Sequence, residues 1–270
     1  MSNRVARHHS IPLIVYLPIP NTGLNPLEES LEEAANLLSE GNDALAIGES
    51  GTLPVGVGFI TWSASLEVAI PALRKYRPYA VWLFAPPRSI HDLIPWVQQI
   101  REATSHATKI WVQIGSVADA TLATELLRPS VLVVQGTDAG GHALARGASI
   151  ISLVPEVHDK IQEMQVQQQR VDDGRGLAAL VQLGAQGRLL GTRFLASPEA
   201  LIADGYLKEA LRAPDDNQNL YLDVLEKVSE EYGPKCRITT YAGTRVGLIK
   251  EVMPARDIVL IKYWCLDYPR

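Results

Sequence analysis

The chain is 270 residues long and carries 25 Lys and Arg against 30 Asp and Glu, a net charge of −5. Hydrophobic residues make up 47% and Gly plus Pro only 20 and 17 residues, which excludes the disordered, low-complexity and fibrous classes. No Lys/Arg cluster forms the basic stripe of a nucleic-acid surface, so no nucleic-acid partner is expected, and a small or anionic organic ligand held by local groups stays open. Cys236 and Cys265 cannot build a disulfide framework, and no Cys/His spacing reads as a metal site. That usage suits a reducing, cytoplasmic setting.

Arg4, Arg7, His8 and His9 precede an apolar stretch at 11–20, a faint echo of a secretory signal. Pro12, Pro18 and Pro20 interrupt it and no small-x-small cleavage site follows, so no signal is expected. Residues 11–16 are a strand candidate. Residues 27–40 predict an exposed acidic helix with Leu27, Leu31, Ala34 and Leu38 on its inner face. Apolar runs at 55–60, 79–84, 109–114 and 131–134, with a shorter one at 188–190, predict strands. They are continuous rather than alternating, the mark of parallel strands covered on both faces. Amphipathic stretches at 89–104, 117–127 and 176–183 predict the intervening helices. Trp62, Trp82, Trp96 and Trp111 lie in or beside the apolar runs and are expected in the core. No apolar run of about 18 residues occurs, so no membrane span is expected.

The strand starts at 55, 79, 109, 131 and 188 are 24, 30, 22 and 57 residues apart. The last interval is two ordinary βα units, which places a strand at 164–171. That segment reads MQVQQQRV, and Gln and Arg suit a strand buried on both faces poorly. The rhythm predicts an α/β fold, a TIM-type (β/α)8 barrel left incomplete, because six or seven strand candidates stand where eight are needed. A single barrel domain over 1–270 is the expected organisation.

Chemistry concentrates after the strand at 131–134, in Gln135-Gly136-Thr137-Asp138-Ala139-Gly140-Gly141-His142. Ligands of such folds bind at the C-terminal ends of strands, where paired glycines let backbone approach closely. His142 there can move a proton near neutral pH, or the segment is a glycine turn carrying a satisfied polar histidine. Leu190-Gly191-Thr192 follows the next strand and matches the place where barrel enzymes hold phosphate; a tight turn with a helix cap reads equally well. Asp173 reads as a helix cap beside Gly174. The remaining histidines, 8, 9, 91, 106 and 158, lie on polar stretches and are expected in solvent. There is no G-x-S-x-G, no P-loop motif and no G-x-G-x-x-G.

Five stretches together resemble the nitronate monooxygenases, formerly called 2-nitropropane dioxygenases, and their fungal members most. They are VLVVQGTDAGGHALARGAS at 131–149, DGRGLAALVQLGAQGRLLGTRFLASPEA at 173–200, LPVGVGFITW at 53–62, RPYAVWLFAP at 77–86 and YAGTRVGLIKEVMPARDIV at 241–259. The likeness covers roughly 28–160 and 173–259, leaving an arm at 1–26 and a tail at 260–270 unmatched. It implies an FMN-dependent monooxygenase on an α/β barrel, turning an alkyl nitronate and O2 into a carbonyl compound and nitrite. It implies that Gln135, Gly140 and Gly141 neighbour the flavin, that Leu190, Gly191 and Thr192 wrap the FMN phosphate, and that His142 faces the substrate.

The departures are local. The family's first strand carries Ala-Pro-Met, of which Leu17-Pro18-Ile19-Pro20 keeps only an echo, implying a member shortened at its N-terminus. Gln169 and Arg170 stand where the family has the two glycines of a second phosphate-binding strand. An NAD(P)H-dependent flavin oxidoreductase on the same barrel, or a remnant without FMN, are the alternatives that these departures leave open.

Overall fold

The computed structural model describes residues 13–16, 26–40, 51–137, 139, 147–164, 183, 194, 196–200, 207, 211 and 251–258. The chain divides into two compact units, Met1–Val134 and Gln135–Arg270.

The first unit alternates strand and helix throughout: β1 (Leu13–Tyr16), α1 (Pro26–Glu40), β2 (Leu53–Ile60), α2 (Leu66–Tyr76), β3 (Pro78–Phe84), a 3-10 turn at Ile90–Leu93 leading into α3 (Ile94–Ala103), β4 (Lys109–Ile114), α4 (Val117–Leu127) and β5 (Val131–Val134). The strands form one parallel sheet in the order β1-β2-β3-β4-β5. Sequential parallel order with a helix in every crossover is the arrangement a (β/α)8 barrel requires. All five strand expectations in this half hold, with ends shifted by two residues or fewer. The strand at 188–190, the segment 165–171 and, but for Leu183, the helix at 176–183 lie outside the described residues.

Register sorts the side chains into two faces. On one, Val57, Val81 and Ile110 stand in a row, and Phe59, Leu83 and Val112 in the next. All six are 1% exposed or less. This face meets the helices: the Phe59 ring centroid lies 5.2 Å from that of Trp96 in α3. Ala69, Ala72 and Leu73 of α2, Val97 and Ile100 of α3, and Ala120, Ala123 and Leu127 of α4 are buried at helical spacing. The other face carries Gly58, Trp82, Trp111 and Val131 across one row. Trp82 and Phe84 tilt together at 4.6 Å between centroids.

Two backbone details shape the sheet. Between the Leu53–Pro78 and Gly56–Ala80 pairs the β2–β3 register slips by one residue. Pro54 lies inside that slip and has no N–H for the ladder, so the bulge falls where the hydrogen bond is already missing. Arg77 and Arg128 close α2 and α4 with φ of 44° and 46°, a left-handed cap usually given to glycine. Each cap N–H still finds a carbonyl, Leu73 and Ala123 respectively.

The second unit contains α5 (Ile150–Glu163). Ser149 caps it by accepting a hydrogen bond from the Ile151 N–H at 3.3 Å, and Leu153, Val154, Val157 and Ile161 form its buried stripe. Residues 196–200 and 251–258 pair through the Met253 N–H, which donates to the Ala196 carbonyl at 3.0 Å. The Glu199 carboxylate accepts the Ala255 N–H, at the start of the helical turn 255–258. Hydrogen bonding to its own and the Ala255 backbone N–H holds the Glu199 carboxyl below the usual carboxylate range. Among the described residues no helix is long and apolar enough to cross a membrane.

Phe59 joins the sheet to α3, and its truncation leaves a void between two rigid layers. Phe59→Ala is expected to cost about 3–5 kcal/mol. Urea unfolding followed by far-UV circular dichroism checks this; a midpoint within error of the parent would contradict that packing.

Candidate functional site

Because the strands are parallel, their C-terminal ends share one edge, and the loops leaving that edge are where ligands of such sheets are held. After β2 comes Thr61-Trp62-Ser63. Thr61 is buried, and its hydroxyl donates to the Phe84 and Ala85 carbonyls at 3.1 and 3.2 Å. The Thr61 N–H also donates to the Phe84 carbonyl and the Trp62 N–H to that of Ala85, at 3.0 and 3.2 Å. The β2 and β3 loops are therefore laced together at their roots. Ala85 accepts these bonds in a left-handed conformation with φ of 50°, a strained state for a residue with a Cβ.

Beyond Ala85 the chain runs through Pro86, Pro87 and Arg88 into the 3-10 turn. The Asp92 carboxylate accepts the Ser89 and Arg88 N–H groups at 3.1 and 2.8 Å and pairs with the Arg88 guanidinium at 3.2 Å. The Ser89 and Arg88 backbone N–H groups, then the Arg88 charge, hold the Asp92 carboxyl below its usual range. After β4 come Gly115 and Ser116, whose hydroxyl accepts the Asp119 N–H at 3.1 Å as the cap of α4.

The second unit opens with the segment singled out from sequence. Gln135 is half-buried and Gly136 buried. The Ala139 N–H donates to the Gly136 carbonyl at 3.1 Å, and the Thr137 N–H to the Ala148 carbonyl at 3.0 Å. A tight turn therefore follows β5 in the chain, its base tied to the residues that lead into α5. Gly140, Gly141 and His142, and Leu190, Gly191 and Thr192, lie outside the described residues, so Gln135 alone of the candidate set has a described place. Among the described residues no group of three or more His, Cys, Asp or Glu is arranged for a metal ion.

Trp62 was expected in the core and is not there. Its residue surface is 66% exposed, whereas Trp96 is 6% exposed and Trp82 and Trp111 are half-buried. The apolar run ends at Ile60, and Thr61 and Trp62 belong to the turn beyond it. The Thr-Trp pair directly after a strand was the overlooked signal, since a polar β-branched residue there ends the buried run.

These features define a class: an α/β protein of the TIM-barrel type, with five strands among its described residues and its loop chemistry at the C-terminal edge of the sheet. The fold likeness extends to the structure of FabK from Thermotoga maritima, at a TM-score of 0.55 and 19% identity over 93% of this chain and 90% of that one. The family model described as nitronate monooxygenase matches residues 87–221. Nitronate monooxygenase npaC of Metarhizium robertsii is 39% identical over 85% of this chain and 77% of its own length. A nitronate monooxygenase of Neurospora crassa is 33% identical over 76% and 69%. The chain belongs to the nitronate monooxygenase family, whose members are flavoprotein oxidoreductases.

Thr61→Val keeps the side-chain shape but removes the hydroxyl that ties the two loops. About 1 kcal/mol of local stability should go with it. Hydrogen exchange should then quicken several-fold at the amides of Thr61 and Trp62, and unchanged protection would mean the backbone bonds alone hold the loops.

Proposed function

We propose that this protein is an FMN-dependent nitronate monooxygenase that oxidises alkyl nitronates with O2 to a carbonyl compound and nitrite. The observation that carries the reading is the family membership, together with the sequence Gln135–His142, which resembles the family's run of glutamine, paired glycines and histidine and follows β5 in the chain.

The described part of that segment fits a flavin. Gly136 is buried at the base of a closed turn and Ala139 adds only a methyl, so these two positions bring little side-chain bulk to the stretch that leads to Gly140 and Gly141. Gln135, Gly140 and Gly141 would hold the ring system, and Leu190, Gly191 and Thr192 the phosphate, through backbone N–H groups and the Thr192 hydroxyl. The bound flavin supplies the two-electron redox chemistry that amino-acid side chains cannot. His142 hydrogen-bonds the nitro oxygens of the substrate through a ring N–H, and can hold or return a proton there at neutral pH.

Purified protein incubated with excess FMN and freed of unbound ligand should retain about one flavin per chain by its visible spectrum. His142→Ala should keep the flavin and lose about a hundredfold or more in kcat on ethyl nitronate. Retained turnover would remove His142 from the mechanism. A colourless folded protein would overturn the proposal itself, and bleaching by NAD(P)H without a response to nitronates would replace it with a reductase.

A further inference from the structure

The charges on the surface of the first unit are sorted by position. In parallel crossovers the last turn of each helix and the opening of the next strand share the N-terminal edge of the sheet. Arg74, Lys75 and Arg77 lead into β3, Lys109 opens β4, and Arg128 leads into β5. These strands are neighbours about 4.8 Å apart, so the cations crowd one stretch of that edge. Lys75 is paired with Glu28 of α1 at 2.7 Å. Arg74, Arg77, Lys109 and Arg128 are exposed, and among the described residues no ion pair reaches them, although Glu102 and Glu125 lie exposed in the last turns of α3 and α4. The exposed apolar side chains Tyr79, Leu126 and Val131 stand on the same edge. Arg77 and Arg128 hold left-handed cap positions, at φ of 44° and 46°, that glycine usually fills. In α2 the pull of a helix C-terminus on cations is already met by Arg74 and Lys75, and Lys109 belongs to a strand.

Helix α1 is the complement of this edge. It carries Glu28, Glu29, Glu32, Glu33 and Glu40 and no Lys or Arg. Glu29, Glu33 and Leu37 follow one another at four-residue steps, a single line along the helix, and all three are exposed. Carboxylates at that spacing repel each other, and α1 supplies no cation of its own to relieve them. The Lys75–Glu28 ion pair sets the start of α1 beside the cationic edge, so the two surfaces adjoin on one chain. Adjoining patches of opposite sign are self-complementary: a two-fold axis brings the acidic line of each copy onto the cationic edge of the other, and the contact closes with two copies.

We propose that the protein forms a two-fold symmetric dimer in which Glu29 and Glu33 of each copy meet Arg77, Lys109 and Arg128 of the other, and Leu37 meets the apolar side chains on that edge. Ion pairs between exposed groups contribute little each and are weakened by salt. The apolar contact adds the attraction that survives screening, while the charges set which surfaces meet and in what orientation.

Sedimentation velocity on the full chain should show a dimer whose dissociation constant rises about tenfold between about 50 and about 500 mM salt. Glycine suits both left-handed caps, so the double variant Arg77→Gly, Arg128→Gly should fold like the parent by circular dichroism and dimerise about tenfold more weakly. The reversals Arg77→Glu with Arg128→Glu, and Glu29→Lys with Glu33→Lys, should each leave a monomer, since like charges then face each other in both contacts. Mixed together, the two reversed chains should form a one-to-one heterodimer, because every contact again joins opposite signs. Damage to the fold by either pair of substitutions would not be repaired by mixing. A mixture that stays monomeric overturns the proposal, as does a parent that is monomeric or a dimer indifferent to salt and to both reversals. Loss of the dimer in the edge variants alone also overturns it and gives the edge to another acidic surface. A monomeric parent that co-sediments with phosphatidylserine vesicles gives the edge to a lipid surface instead.

Discussion

Parallel pairing is the constraint from which the first unit follows. Strands that all run the same way cannot be joined by tight turns, so each needs a crossover, and four helices fill that role between five strands. The crossovers place every helix start on the same edge as every strand end. Thr61, Ala85, Gly115 and the start of the Gln135 turn follow the last residues of β2, β3, β4 and β5 in the chain for that reason. Hydrophobic burial then holds the arrangement. Each fully buried side chain of the Val57–Phe59–Val81–Leu83–Ile110–Val112 face contributes roughly 1.5–3 kcal/mol, and the small residues of α2 and α4 let the helices approach that face closely.

The two faces of the sheet solve different problems. The helix-covered face is built from branched aliphatics and Phe59 at close packing. The opposite face sets Gly58 beside Trp82, and Trp82 beside Trp111, so the missing side chain on β2 gives an indole room on β3. Among the described residues the buried Trp82 Nε1 atom has no hydrogen-bond partner, a cost on the order of 1–3 kcal/mol. The stacking of Trp82 on Phe84 offsets part of it.

Much of this was legible in the residues because β-branched and aromatic runs of four to eight residues have few other uses in an α/β chain. Two helices were not legible. Pro71 sits inside α2 and Pro155 inside α5, and a proline in an otherwise helical pattern reads as a stop. In the structure both helices carry on past it: buried Ala72 and Leu73 follow Pro71, and Val157 and Ile161 follow Pro155, so tertiary packing outweighs the lost backbone bond. Trp62 was misplaced because hydrophobicity says what a side chain prefers and not which residue is last in a strand. The run Gln135–His142 stands out through its spacing and its position after β5, and of it only residues 135–137 and 139 have a described place.

The electrostatics of the helix starts bear on where an anionic cofactor group can sit. A helix N-terminus attracts phosphate through free N–H groups and its dipole, unless the chain has already satisfied both. In the first unit every helix start carries an acidic side chain, and two of the starts are capped. The first turns of α1 and α2 carry Glu28, Glu29 and Glu67, the 3-10 turn before α3 carries Asp92, and that of α4 carries Asp119. Asp92 and Ser116 also consume the N–H groups a phosphate would need. A dianion placed at any of these starts would meet an acidic side chain in the first turn, and at the 3-10 turn and α4 a terminus already capped as well. Those carboxylates disfavour a dianion at the described helix starts of the first unit, which is consistent with the proposal that Leu190-Gly191-Thr192, a stretch without an acidic side chain, holds the phosphate.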